Sequence, residues 1–235
     1  MQTSDENGKS YVSVVYDENR TPKTDYPSKF ARHLIDRFSI AKQASLIELG
    51  CGRGDFLLEF QQAGLQCYGI DRDEQSISLL ANLIDVRKAD ISVDALPFDD
   101  NTFDVVYHKS LIEHLYTPDH LMAESYRILK PGGRVIILTP DWISQMKTFY
   151  EDFTHSRPYD CSAINDLLEI YNFKDITSEK FYQLPILWAF PSLKIVCRCL
   201  QLFLDNITAR QLTKLTGVKF FRWGVELMVL GSGVK

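Results

Sequence analysis

Cysteine is scarce in this 235-residue chain: Cys51, Cys67, Cys161, Cys197 and Cys199 are all there is, an odd number without framework spacing. That excludes a disulfide-stapled secreted scaffold and points to a reducing, cytoplasmic setting. Long apolar runs are missing too. A bilayer span needs about 20 mostly apolar residues. The longest such piece, Phe181 to Leu193, is bounded by Lys180 and Lys194 and broken by Pro185 and Pro191. The first residues lack the apolar core of an export signal and carry Asp5, Glu6 and Lys9 instead. Nor is there an excess of positive charge. With 26 basic and 31 acidic residues the net charge is -5, which argues against a nucleic-acid partner held by charge. Repeats and low-complexity tracts are absent, and the composition excludes disorder, collagen and coiled coil.

What remains is the composition of a folded domain, 45% hydrophobic and 24% charged. The length suits one generous domain or one with an embellishment, large enough to bury a core without staples. Residues 1–27 read as a polar arm and 28–235 as the domain, with 185–220 as an insert of different composition. Phe30, Leu34, Ile35 and Phe38 share one face at helical spacing. Short apolar runs then alternate with helical stretches. Strands are expected at 45–49, 65–70, 86–91, 103–107 and 134–139, and helices near 56–60, 73–82 and 117–129. Pro131-Gly132-Gly133 should break the last of these. Beyond lie a helix at 161–171 and strands at 176–183 and 221–230. Strands alternating with helices imply an α/β fold with a parallel sheet covered on both faces.

The informative segment is Glu48-Leu-Gly-Cys-Gly-Arg-Gly54, between a strand and a helix. Glycines there let the backbone turn sharply and approach a ligand. The following helix N-terminus offers unpaired N–H groups to a carboxylate or phosphate. The spacing is not the dinucleotide G-x-G-x-x-G, because Gly54 comes one place early and Asp55 stands at the fingerprint position. Glu48 ahead of the loop suits a ligand with a positive amino or sulfonium group better than a pyrophosphate. Asp71 ends the second strand, at the distance where a carboxylate takes ribose hydroxyls. Asp90, with Ile91, ends the third, where it could accept from an adenine amino group. Each also fits a ligand-free role: a tight turn, a helix cap, a solvated acid.

As a set these residues resemble the class I S-adenosylmethionine-dependent methyltransferases. The match runs through Glu48–Gly54, Gly69-Ile-Asp71, Ala89-Asp90, Leu96-Pro-Phe98, Asn101-Thr-Phe-Asp-Val-Val106, Ile112-Glu-His-Leu115 and Leu129-Lys-Pro-Gly-Gly133, covering about residues 28–140. It looks closest to the subgroup that includes quinone-biosynthesis enzymes. The resemblance implies a Rossmann-like, seven-stranded, mostly parallel sheet with an antiparallel last strand, placed at the edge by 221–230. It implies S-adenosyl-L-methionine as cofactor and S-adenosyl-L-homocysteine as product. It further implies Gly50, Gly52 and Gly54 against the methionine portion, Asp71 on the ribose, and Asp90 and Ile91 on the adenine. Arg72 would lie over the adenine and His108 near the methionine end.

The sulfonium methyl is already activated, so positioning can supply roughly 7–11 kcal/mol and a base typically 10²–10⁴-fold. Tyr107-His-Lys-Ser110 is not an Asn-Pro-Pro-Tyr loop, and no Pro-Cys dipeptide exists, which argues against amino-group and cytosine C5 methylation. Ser110 stands where a Glu-x-x-Glu-His metal site would have its first acid, so no metal is expected. The base candidates are His114 and His155. His155 lies in Asp152-Phe-Thr-His-Ser-Arg-Pro-Tyr159, which resembles a loop of bacterial methyltransferases near polysaccharide and lipid genes. There Arg157 could hold an anionic group and Tyr159 wall the pocket. Structural bracing is the competing role for both histidines.

Residues 185–222 hold six basic residues and one acid, Asp205, among many apolar ones. The insert reads either as a lid or core-packing element, or, through 185–204, as a peripheral contact with a membrane interface. The expected acceptor is small or lipid- or glycan-linked, methylated on oxygen. A protein or RNA acceptor, or cofactor binding without turnover, are the alternatives.

Overall fold

The computed structural model describes residues 22–235. Most of the expected polar arm, residues 1–21, lies outside them. Seven strands form one sheet in the order β3-β2-β1-β4-β5-β7-β6, and the chain divides into two compact units.

The first unit runs through His108 and adds Arg127–Gly133. It contains α1 (Tyr26–Phe38), β1 (Ser45–Leu49), α2 (Asp55–Gln62), β2 (Gln66–Asp71), α3 (Glu74–Leu80), β3 (Asp85–Lys88) and nearly all of β4 (Phe103–Lys109). β1 pairs in parallel with β2 and β4, Glu48 standing opposite Gly69 and Tyr107. Leu46, Ile47 and Leu49 are fully buried, as expected of a parallel strand covered on both faces. Phe60 meets Tyr107 edge-on at 5.3 Å between centroids. The parallel register puts the residues after β1 and the end of β2 at one sheet edge, where open α/β sheets bind ligands. β3 is shorter than expected. Asp90 has left the strand because its amide is capped by Asp94 Oδ2 at 2.8 Å.

The second unit takes Lys109–Tyr126 and Arg134–Lys235. α4 (Asp119–Ile128) leads into β5 (Leu129–Pro140), which starts ahead of the expected Pro131-Gly132-Gly133 break. Then come the short α5 (Trp142–Gln145), α6 (Cys161–Ile170) and β6 (Lys174–Phe181). β7 (Met228–Val234) runs antiparallel to both β5 and β6, from Arg134 opposite Val234 to Pro140 opposite Met228 on one side. Two expectations are corrected. The last strand lies between β5 and β6, not at the edge. And the apolar run 221–230 is not one strand: its first half belongs to α10 (Phe220–Val225). A short apolar run does not reveal its period, and an Arg222–Glu226 ion pair one helical turn apart, 2.6 Å long, favours the helix.

Between β6 and β7 the chain is helical: α7 (Pro185–Ala189), α8 (Lys194–Phe203), α9 (Asn206–Thr216) and α10. Tyr182, Leu184, Leu187, Cys197 and Leu227 form a small core here, against which Phe220 and Trp223 pack. Buried Glu226 receives both Arg210 and Arg222. Among the described residues no helix is long and apolar enough to cross a membrane.

Candidate active site

In the first unit the glycine turn is held from behind. Gly50, Gly52 and Gly54 have φ of 70, 51 and 77°, a region L side chains avoid. The amides of Gly50 and Cys51 both donate to the Ile70 carbonyl, at 2.8 and 3.0 Å. Asp71 Oδ2 accepts from Gly52 N–H at 2.7 Å and Oδ1 from Asp73 N–H at 2.9 Å. Burial pushes the Asp71 carboxyl above its ordinary range against the pull of those two amides. A carboxylate has about four acceptor sites, so two serve the loop and two can serve a diol. Gly54 starts α2 without a side-chain cap, leaving helix N–H groups for an anion.

The other expected cofactor residues are placed as follows. Glu48 is buried on β1, and Ile91 is buried beyond β3. Asp90 Oδ1 accepts from the Ser92 amide at 3.0 Å and hydroxyl at 2.6 Å, so it also caps its own turn. Arg72 is exposed. Elsewhere in this unit the Arg87 guanidinium lies over the Phe98 ring, 4.2 Å from its centroid. His108 is fully buried, and neither ring nitrogen has a hydrogen-bond partner among the described residues. Burial drives its pKa down to about 3, so the imidazole is neutral. A braced left-handed turn, an uncapped helix start and two carboxylates match a ligand with a carboxylate, an amino group and a ribose.

The second unit gathers a separate cluster. Glu113 lies in a 3₁₀ turn, Ile112–His114, and is fully buried. Its Oε2 accepts from the Thr139 hydroxyl at 2.9 Å, while Oε1 has no hydrogen-bond partner among the described residues. Burial raises its carboxyl to about 7. The Glu113 carbonyl accepts from the amides of Ser156 and Arg157 at 2.8 and 3.1 Å, which hangs the 152–159 loop from this turn. Thr154 donates its hydroxyl proton to Asp152 Oδ1 at 2.6 Å. Its oxygen, 2.8 Å from His114 Nδ1, must therefore accept, so His114 carries its proton on Nδ1. His155 Nδ1 donates to the Phe149 carbonyl at 2.6 Å. With Nδ1 as the donor, neutral His155 carries its lone pair on Nε2. The centroids of the two imidazoles are 4.8 Å apart, and His155 Nε2 is 3.9 Å from Asp152 Oδ2.

Tyr159 is buried, its hydroxyl without a partner among the described residues, and burial pushes its pKa up to about 12. Arg157 is exposed. Residue types and spacing marked His114 and His155 individually. They did not mark Glu113 as the acid between them, although the Glu-His dipeptide carried that signal.

The glycine turn and the acids ending β2 and following β3 define an α/β protein that binds a nucleoside-bearing cofactor. The comparison with known families makes this specific. A family model described as a methyltransferase domain matches residues 17–178, and the chain belongs to that family, the S-adenosylmethionine-dependent methyltransferases. It is similar to a sterol 4-C-methyltransferase of Caenorhabditis elegans, 28% identical over 52% of this chain and 40% of the relative. It is also similar to a ubiquinone/menaquinone biosynthesis C-methyltransferase of Haemophilus ducreyi, 28% identical over 51% and 52%. The chain spans about half the length of the curated relatives it matches. In fold it resembles a SAM-dependent methyltransferase from Archaeoglobus fulgidus, with a TM-score of 0.66 at 19% identity over 96% of this chain and 100% of that one. A phosphoethanolamine N-methyltransferase of Haemonchus contortus, in complex with S-adenosyl-L-methionine, matches with a TM-score of 0.62 at 17% identity over 97% of this chain and 60% of that one.

Proposed function

We propose that the chain transfers the S-adenosylmethionine methyl group to an oxygen of a small or lipid- or glycan-linked acceptor. On this reading the glycine turn and the start of α2 hold the methionine carboxylate, and Glu48 its amino group. Asp71 takes the ribose, Asp90 and Ile91 the adenine. His108 supplies a neutral imidazole near the methionine end, and Arg72 stands at the adenine side. The S–CH₃ bond breaks as the O–CH₃ bond forms, and S-adenosylhomocysteine leaves. In the metal-free chain the acceptor's proton goes to His155 Nε2, with His114 beside it. Arg157 and Tyr159 contact the acceptor.

The observation that carries this reading is the tautomer of His155, whose Nδ1 donates to the Phe149 carbonyl at 2.6 Å and leaves a lone pair rather than a proton on Nε2. The test is an S-adenosylhomocysteine release assay against a panel of hydroxyl acceptors. His155→Ala should lower kcat by about 10²-fold or more with unchanged affinity for S-adenosylhomocysteine. Full activity would remove the base.

The insert supports a lipid-linked acceptor. Leu202 and Phe203 on α8 are 79% and 85% exposed, with Ile195 at 59%. Lys194 and Arg198 lie on the same helix, and exposed apolar residues mixed with cations suit an anionic membrane surface. Flotation with phosphatidylglycerol vesicles tests this, and protein left at the bottom of the gradient would count against it. A protein or RNA acceptor fits less well, since Arg210 and Arg222 are spent on Glu226.

A further inference from the structure

Glu113, His114 and His155 each offer one donor atom, and these atoms all lie within 4.8 Å of one another. Two imidazoles and a carboxylate form a borderline donor set, suited to zinc, cobalt, nickel or iron rather than to calcium or magnesium. The atoms behind the donors are as telling as the donors. Ligating imidazoles usually give their other N–H to a carbonyl, carboxylate or similar acceptor, which fixes tautomer and ring orientation. His155 does so through Nδ1 to the Phe149 carbonyl at 2.6 Å. His114 does so through Nδ1 to Thr154, whose hydroxyl is itself anchored on Asp152 at 2.6 Å. Thr139 holds Glu113 by one oxygen, and the other oxygen, in a fully buried carboxyl, has no hydrogen-bond partner among the described residues. A buried carboxylate oxygen left in that condition is costly unless a cation or a proton meets it.

We propose that Glu113, His114 and His155 bind one divalent first-row transition-metal ion of the zinc or cobalt kind. The expectation of no metal rested on Ser110 standing where a further acid would be. Three protein donors suffice, because a three-ligand site is the form that keeps a position open for water or an oxygen of the acceptor. Binding the ion does not depend on the methyltransfer reading, whereas the use of its open position does. At His155 Nε2 the two roles exclude each other: a nitrogen bound to a cation has no lone pair left for a proton.

The experiment uses the full chain, its affinity tag removed, stripped with a chelator and dialysed. Cobalt(II) is titrated in while visible absorption is followed, and zinc(II) is titrated by calorimetry. One equivalent of each should bind, cobalt giving d–d bands. Glu113→Gln and His155→Ala should each weaken binding by at least about 10-fold, and the double variant should abolish the bands. Calorimetry with S-adenosylhomocysteine on the same proteins reports whether they are folded. Absence of a stoichiometric site in the wild type, or equal binding by the double variant, would overturn the proposal. Metal binding lost with cofactor binding intact refutes this inference alone. Metal binding intact without cofactor binding refutes the methyltransferase reading alone.

Discussion

His108 makes the pH dependence of stability a sharp test of the buried imidazole. It is fully buried and, among the described residues, without a hydrogen-bond partner on either ring nitrogen. Its folded pKa is driven down to about 3 from 6.5. In the unfolded chain it protonates near 6.5, so between pH 6.5 and 3 the unfolded state binds more protons than the folded one. Stability from this group is therefore complete above pH 6.5 and falls as the solution is acidified through that window. At pH 5 the folded ring is still neutral, so the loss depends only on the unfolded value. A separation of 1.5 units from the 6.5 of the free side chain corresponds to about 2 kcal/mol, at about 1.36 kcal/mol per unit. The assay is urea unfolding of wild type and His108→Leu at pH 7.5 and pH 5. Every other titrating group is common to both proteins and cancels in the difference. The wild type should lose about 2 kcal/mol more than the variant on acidification. Parallel losses would show that the ring is protonated or solvated in the folded state and refute the reasoning.

The remaining predictions concern the glycine turn and the sheet. Gly54→Ala must place a side chain at φ 77°, with its Cβ 2.6 Å from Leu80 Cδ2; strain and overpacking together should cost roughly 2–5 kcal/mol, read by urea unfolding. Asp71→Asn removes the charge from the carboxylate that holds Gly52 N–H at 2.7 Å; calorimetry should show S-adenosylhomocysteine binding weakened by roughly 10- to 100-fold, and unchanged affinity would rule out the ribose assignment. Gly231→Ala would drive its Cβ into Ile164 Cγ2, and a thermal melt should show a destabilisation of roughly 1–3 kcal/mol; an unshifted Tm would mean that α6 can back away from β7.

Much of the fold was legible because its signals are local. The apolar run 45–49 ends on glycines, and β1 is Ser45–Leu49. Asp71 ends β2, as its spacing implied, whereas Asp90 lies two residues beyond the end of β3. What escaped was non-local. Nothing in the run 221–230 says that its first half winds into a helix around the Arg222–Glu226 pair, because short apolar runs fit either period. The position of β7 between two strands depends on partners far away in sequence. The same holds for the cluster: His114 and His155 were each visible as types, but Thr154 and the Phe149 carbonyl set their tautomers, and hydrogen bonds of that kind leave no trace in spacing.

The placement of β7 also sets a schedule for synthesis. β6 stands at the end of the sheet and has only β7 beside it, so when Lys174–Phe181 leaves the ribosome its partner has not yet been made. All of the stretch 182–227 must follow first. Until then β6 has a bare strand edge of the kind that attracts other chains, and α6, made just before it and packed against it, is the covering already at hand.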